Sequence, residues 1–419
     1  MDFYFEALFL AFLAVNVVLK FWLDARQTRS VMEHLEEVPA AFRESITIES
    51  HRRAAHYTIE VIRQEQKQRL VSVMFLLLAT VGGLIDVICK GWFALLGTDI
   101  HGQAAIVITF AVLSSLIEVP FSWIRQFRLE EQFGFNNMTQ GRFWKDLALN
   151  TVLSSVIGIP LLYAVLYLWN AAGDLWWLYA WLVYIGFSLL LLWIYPTFIA
   201  PIFNKFQKLP EGELSDRVNA LLERIGFEAD GLFVMDASRR SAKGNAYMTG
   251  FGKHKRIVFF DTLLSSLTID ETEAVLAHEL GHYKLHHIVK RMAVSFAVSL
   301  ALFALLAYLA SCPWFYQGLG VTYNAEGFEA AALLLFSFVL PVFLFPFAPV
   351  SSMLSRKHEF EADAFAVRHS SGKALVSALV KLFNDNAATL TPDPIYSAFY
   401  ASHPDAATRI DAIQKHSGE

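Results

Sequence analysis

Thr268-Ile269-Asp270-Glu271-Thr272-Glu273-Ala274-Val275-Leu276-Ala277-His278-Glu279-Leu280-Gly281-His282 is the stretch on which the reading of this chain turns. Thr268-x-x-Glu271 fits a capping box that starts a helix. Ala274, Val275 and Ala277 give that helix a packing face. A helix advances about 100° per residue, so His278 and His282 lie about 40° apart on one side and can offer two imidazole nitrogens to one metal ion. Glu279 lies beside them, close enough to bond a water held by the metal without ligating the metal itself. Zinc suits the set. It takes nitrogen and carboxylate oxygen in a tetrahedron, and a catalytic site keeps one position for water. A surface helix with two solvated histidines would carry the same letters. A third ligand and a place for substrate distinguish the two.

The composition points to a membrane. Of 419 residues, 55% are hydrophobic and only 17% charged, where soluble domains run at about a quarter charged. Mean hydropathy is +0.41. Apolar runs of roughly the 20 residues that a helix needs to cross hydrocarbon lie at about 4–22, 70–96, 104–124, 147–169, 175–200, 288–310 and 328–349. The first is read as a retained span, because Asp2 and Glu6 stand where a secretory leader would be basic. Asp86, Lys90 and Glu118 fall inside these runs. They either face an aqueous cavity or, for Asp86 and Lys90, pair across one turn near a span end. The net charge of -5 gives no reason to expect nucleic acid. Cys89 and Cys312 lie far apart and suggest neither a disulfide framework nor a cysteine metal site.

Lys and Arg crowd alternate connections. Arg26 to Arg69, Arg125 to Lys145, the segment from Lys205 onward, and Arg356 and Lys357 fall on one side. The connections 98–102, 170–174 and 311–327 hold none. By the positive-inside rule the N-terminus lies outside and the C-terminus in the cytoplasm, with the two histidines at the cytoplasmic face. The chain then divides into a membrane region at 1–200 with five spans, a cytoplasmic block at 201–287, a hairpin of spans six and seven at 288–350, and a second cytoplasmic part at 351–419. In the first block, 211–225 reads as an amphipathic helix. Residues 231–235 and 256–261 read as buried strands, and 244–250 as an edge strand.

A catalytic zinc normally has three protein ligands. His286, His287, His358, Glu359, Glu361 and Asp363 are the candidates at that face. His286 stands about 80° round the helix from His278, which is poor geometry for one ion. Glu359 and Asp363, four apart, share a helix side. One carboxylate can ligate while the other accepts the Nδ1–H of a ligand histidine and fixes its tautomer.

His278-Glu279-Leu280-Gly281-His282, Ser355-Arg356 with Glu359-Phe360-x-Ala362-Asp363-x-Phe365-Ala366, and Asn245-Ala246-x-x-x-Gly250 together resemble the zinc-dependent CAAX prenyl endopeptidases, integral-membrane gluzincin metalloproteases. The resemblance extends to Phe133-Gly134-Phe135-Asn136-x-Met138-Thr139, to Arg256-Ile257-Val258-x-Phe260-Asp261-Thr262-Leu263-Leu264 and to His403-Pro404-x-x-x-x-Arg409, and so covers essentially the whole chain. It implies a mainly α, polytopic membrane protein. About seven transmembrane helices would enclose a water-filled chamber, with a small α+β zinc metalloprotease domain on the cytoplasmic side.

The resemblance also implies one zinc per chain, held by His278, His282 and Glu359, with Glu279 as general base and Asp363 behind His278. Asn245 and Ala246 match a substrate-pairing strand. His403 and Arg409 match residues near the reacting atoms, where either could stabilise an oxyanion or a terminal carboxylate. The implied reaction removes the last three residues from prenylated proteins. The partners are then a peptide or protein substrate, prenylated or not, and the lipid bilayer. The alternatives are an intramembrane zinc protease, against which Glu271, Glu273 and Lys284 flank the motif, a membrane quality-control protease of the same class acting on unprenylated substrates, and a transporter or lipid-handling chamber with a structural metal. The short outer connections suit a bacterial inner membrane as well as an endoplasmic reticulum, and of the two a bacterial inner membrane is expected.

Overall fold

The computed structural model describes residues 1–250, 255–323 and 327–418. Among these, six helices are long and apolar enough to cross a membrane: Asp2–Glu33, Ile100–Glu130, Gln140–Ala171, Gly173–Phe203, His287–Ala310 and Glu329–His369. The bent pair Ile48–Ala79 and Leu84–Leu96 makes a seventh crossing if counted as one. Val152, Val156, Leu182, Leu189 and Trp193 point outward from these helices, exposed, as side chains facing lipid tails would. Phe9, Phe110, Phe315, Tyr316 and Leu335 pack between the helices. Starts are capped. Asp99 accepts the N–H groups of His101 and Gly102, and Thr139 that of Arg142.

The stretch 70–96, read from sequence as one span, is corrected. Its first part completes the helix Ile48–Ala79, which begins far back in the charged connection. The chain breaks at Thr80–Gly83 and resumes as Leu84–Leu96, bent by 54°. Gly83 takes a left-handed φ of +75°, open to glycine at little cost. Gly320 packs into the break: a Cβ there would stand 2.5 Å from the Thr80 carbonyl oxygen. Asp86 and Lys90 pair with each other at 2.6 Å, and Asp86 also accepts the Thr322 N–H. Glu118 instead lines a cavity of about 900 Å³ between the helices and accepts a hydrogen bond from Gln68.

The protease part is built on a four-stranded sheet: β1 (Phe206–Lys208), β2 (Gly231–Met235), β3 (Ala246–Thr249) and β4 (Arg256–Phe260). The order is β1-β2-β4-β3, with β2 and β4 parallel and the other pairs antiparallel. Ile257, Val258 and Phe259 are almost wholly buried, which is why the branched and aromatic run 257–259 takes a central strand. Among the described residues β3 pairs on one side only and is therefore an edge.

The motif helix, Ile269–Lys284, lays Leu276, Ala277 and Leu280 into the core that also holds Ile257 and Phe259. Its capping box is complete. Thr268 Oγ1 accepts the Glu271 N–H, and the Glu271 carboxylate accepts the Thr268 N–H. Replacing Thr268 with Ala is expected to cost about 1 kcal/mol of stability, read as a lower thermal midpoint in detergent. The same cap carries a pH dependence. Burial alone would raise the Glu271 pKa, but bonds from Lys381, Ser377 and the Thr268 backbone more than reverse this and hold it below its ordinary 4.5. A depressed carboxylate contributes stability that is fully present above the unfolded value and is lost as pH falls through the folded one. The stabilisation that the Glu271 carboxylate adds, read as the difference in thermal midpoint between wild type and Glu271→Gln, is therefore expected to shrink only in acid, below the ordinary carboxylate range.

The helix Ala348–His369 follows the last span after a short turn at Phe345–Phe347 and crosses the motif helix closely. Gly281 makes the approach possible: a Cβ there would lie 3.1 Å from both Ala362 Cα and Phe365 Cβ. A glycine in mid-helix costs about 1 kcal/mol relative to alanine, and close packing against Ala362 offsets it. Leu375 and Ala378 from the helix Gly372–Asp385, and Ile413 from Ala406–Ser417, close the same core.

Candidate active site

The helix crossing brings three electron-pair donors to one point. His278 Nε2 and His282 Nε2 lie 3.2 Å apart. The Glu359 carboxylate reaches both: Oε2 is 3.5 Å from His278 Nε2, and Oε1 is 3.4 Å from His282 Nε2. Metal–ligand bonds of about 2.0–2.1 Å in a tetrahedron place the ligand atoms about 3.3–3.4 Å apart, so the donor set fits a zinc-sized ion. His278 and Glu359 are buried, at 7% and 4% exposure, where converging lone pairs would repel without a cation.

Behind the donors stands a charged scaffold. His278 Nδ1 is 2.8 Å from Asp363 Oδ1. Arg409 donates to Asp363 through Nε at 2.9 Å and Nη2 at 2.6 Å. Its Nη1 is 3.9 Å from Glu359 Oε2. Burial alone would push the His278 imidazole pKa down. The Asp363 and Glu359 carboxylates beside it outweigh this and carry it up to about 9. The pocket favours positive charge at this point.

The site opens on a cavity of about 680 Å³ whose wall includes His278, Glu279, Asn245, Ala246, His403 and Arg409. Glu279 is thus on the cavity wall but outside the donor set. His403 is largely exposed, and its Nδ1 is 2.7 Å from Glu359 Oε2. Asn245 precedes edge strand β3, held by the Phe260 N–H on its carbonyl oxygen. The structure thus brings together all nine residues picked from the sequence. Arg409 differs from the expectation of a free cation facing substrate: two of its nitrogens are engaged by the buried Asp363.

Other residues have no sequence signal. Asn204, Arg240, Ser241 and Lys243 line both this cavity and the 900 Å³ one between the membrane helices, so the two adjoin. Arg240 is gripped by Asp146 at 2.9 and 3.2 Å. Lys243 donates to Tyr57 at 2.7 Å and lies 3.1 Å from Glu130. These partners are distant along the chain, and no local pattern joins them.

Residues 27–205 match the family model described as CAAX prenyl protease N-terminal, five membrane helices, and residues 208–417 match peptidase family M48. The CAAX prenyl protease 1 homolog of Dictyostelium discoideum is 32% identical over 418 residues, covering 97% of this chain and 96% of the relative. The CAAX prenyl protease 1 of Saccharomyces cerevisiae is 36% identical over 316 residues, covering 72% of this chain and 69% of the yeast protein. The crystal structure of S. mikatae Ste24p aligns with a TM-score of 0.85 at 29% identity, covering 97% of this chain and 98% of the other. Two histidines and a carboxylate at ligand spacing, a chamber among apolar helices and this likeness along nearly the whole length agree: the chain belongs to the CAAX prenyl protease family of M48 membrane metalloendopeptidases.

Proposed function

We propose that the chain holds one zinc ion between His278, His282 and Glu359 and cleaves near the C-terminus of prenylated proteins. The observation that carries this reading is three lone pairs converging at 3.2–3.5 Å on the wall of a cavity that a free strand edge also lines. When bound, zinc polarises the scissile carbonyl and lowers the pKa of water. Glu279 takes a proton from the attacking water and returns it to the departing amine nitrogen. Asp363 accepts the His278 Nδ1 proton and so leaves the Nε2 lone pair facing the ligand point. Arg409 holds the Asp363 carboxylate in place, a positioning role. His403, at the cavity mouth, donates to the developing oxyanion. Asn245, Ala246 and the open edge of β3 hold an extended peptide by its backbone, which suits cleavage with loose side-chain demands.

The adjoining cavity between the membrane helices supports the substrate class, since a lipid-bearing C-terminus could reach the site from the bilayer side. The relatives' names also favour it over the quality-control alternative. The Lys and Arg asymmetry supports an N-terminus outside and the protease part in the cytoplasm, with 201–287 and 351–419 forming that part around the hairpin 288–350.

The test is a cleavage assay on a farnesylated C-a-a-X peptide, the same peptide unprenylated, and a chelator-treated control. Purified protein is expected to release the tripeptide from the farnesylated substrate alone and to stop when chelated. Equal rates on both peptides would overturn the substrate class, and chelator-insensitive cleavage would overturn the metal.

A further inference from the structure

His282 has a partner on the side away from the ligand point. Its Nδ1 lies 3.0 Å from Nδ1 of His287, and Nε2 of His287 lies 2.9 Å from Glu361 Oε2. His287 is 1% exposed. It begins the helix His287–Ala310, one residue after His286, whose φ of +57° is left-handed and strained for a residue with a Cβ. That turn separates the two helices and sets His287 against His282. His358 stacks on the His287 ring, centroids 4.1 Å apart and planes 11° from parallel, which fixes the ring's orientation.

Counting protons assigns each bond. A histidine that ligates through Nε2 while neutral carries its proton on Nδ1. The His282 Nδ1–H therefore donates to His287 Nδ1. His287 then keeps its own proton on Nε2 and donates it to the Glu361 carboxylate. Every atom in the chain has one role, and only one tautomer of each ring satisfies it.

His287, His358 and Glu361 also lie close enough together to suggest a second metal ion. Two facts oppose that. The His287 Nε2 that would ligate holds the proton donated to Glu361. A metal also sits in the plane of each imidazole that binds it, and two stacked rings only 11° from parallel share no such point close by.

We infer that His287 and Glu361 are positioning residues for His282, a histidine-to-carboxylate wire that sets its tautomer and strengthens its hold on the catalytic metal. The inference rests on the reading of His278, His282 and Glu359 as ligands. His278 meets its carboxylate directly, whereas His282 reaches one through a second imidazole.

The test measures zinc per chain by mass spectrometry and zinc affinity and release by chelator competition, on full-length protein. His287→Leu is expected to weaken zinc binding about 10- to 100-fold and to speed its release. Glu361→Leu, at a side chain 37% exposed, should shift both in the same direction by less. His287→Gln, whose amide oxygen can still accept from His282, should recover part of the loss, which a merely structural role would not predict. Wild-type affinity and release in Glu361→Leu would overturn the inference. So would two zinc ions per wild-type chain with one lost in Glu361→Leu. A wild-type chain that binds no zinc would instead overturn the underlying ligand assignment.

Discussion

Glu279→Gln is expected to keep its metal and to lose about 10²- to 10⁴-fold in cleavage rate, the usual span for removing a positioned general base. The side chain lies on the cavity wall beside His278 and is not among the three converging donors. Glutamine keeps the size and the polar contacts but offers no basic oxygen. Water must then lose its proton to solvent, and the departing amine must find one there. Metal content by mass spectrometry and a single-turnover assay on the same preparation check both halves. Cleavage at wild-type rate would show that some other group moves the proton.

Glu359→Ala should do more damage, because the carboxylate is both donor and fastener. It is the one member of the donor set that comes from the helix Ala348–His369, and the two histidines come from the motif helix. Without it two imidazoles remain, short of the three protein ligands that a catalytic site needs. Metal content is expected to fall to background and cleavage with it. Stability should fall too. An ion that binds only the folded chain stabilises it by about 4 kcal/mol when free metal exceeds its Kd about a thousandfold. The thermal midpoint of Glu359→Ala should therefore sit near that of chelated wild type and respond no further to chelator. A variant with full metal content would remove Glu359 from the ligand set.

Much of this site could be read from local rules. Helical spacing put His278 with His282 and Glu359 with Asp363, and the structure brings His278, His282 and Glu359 to one point with Asp363 behind His278. The capping box, three of the four strands and the edge position read at 244–250 followed from turn chemistry and patterning, while the three-residue β1 carried too little pattern to be read. What escaped was decided by tertiary contact. The break at Thr80–Gly83 depends on Gly320, far along the chain. Arg409 could be placed near the site but not on Asp363, because a motif gives proximity without direction. His287 looked like one more candidate ligand. Its pairing with His282 needs the left-handed turn at His286, which ordinary residue preferences disfavour.

Gly281 gives the centre an unusual kind of vulnerability. The three converging donors sit on two rods whose separation is set where one residue has no side chain, with 3.1 Å between an added Cβ and the atoms opposite. Alanine would ask the facing helix to give by a few tenths of an ångström, whereas a longer side chain would act as a shim, moving Glu359 outward while leaving every donor in the sequence intact. Metal geometry tolerates displacements of only about 0.5 Å. A genome scan for the donors alone would therefore count such a variant as complete, although its site would be out of gauge.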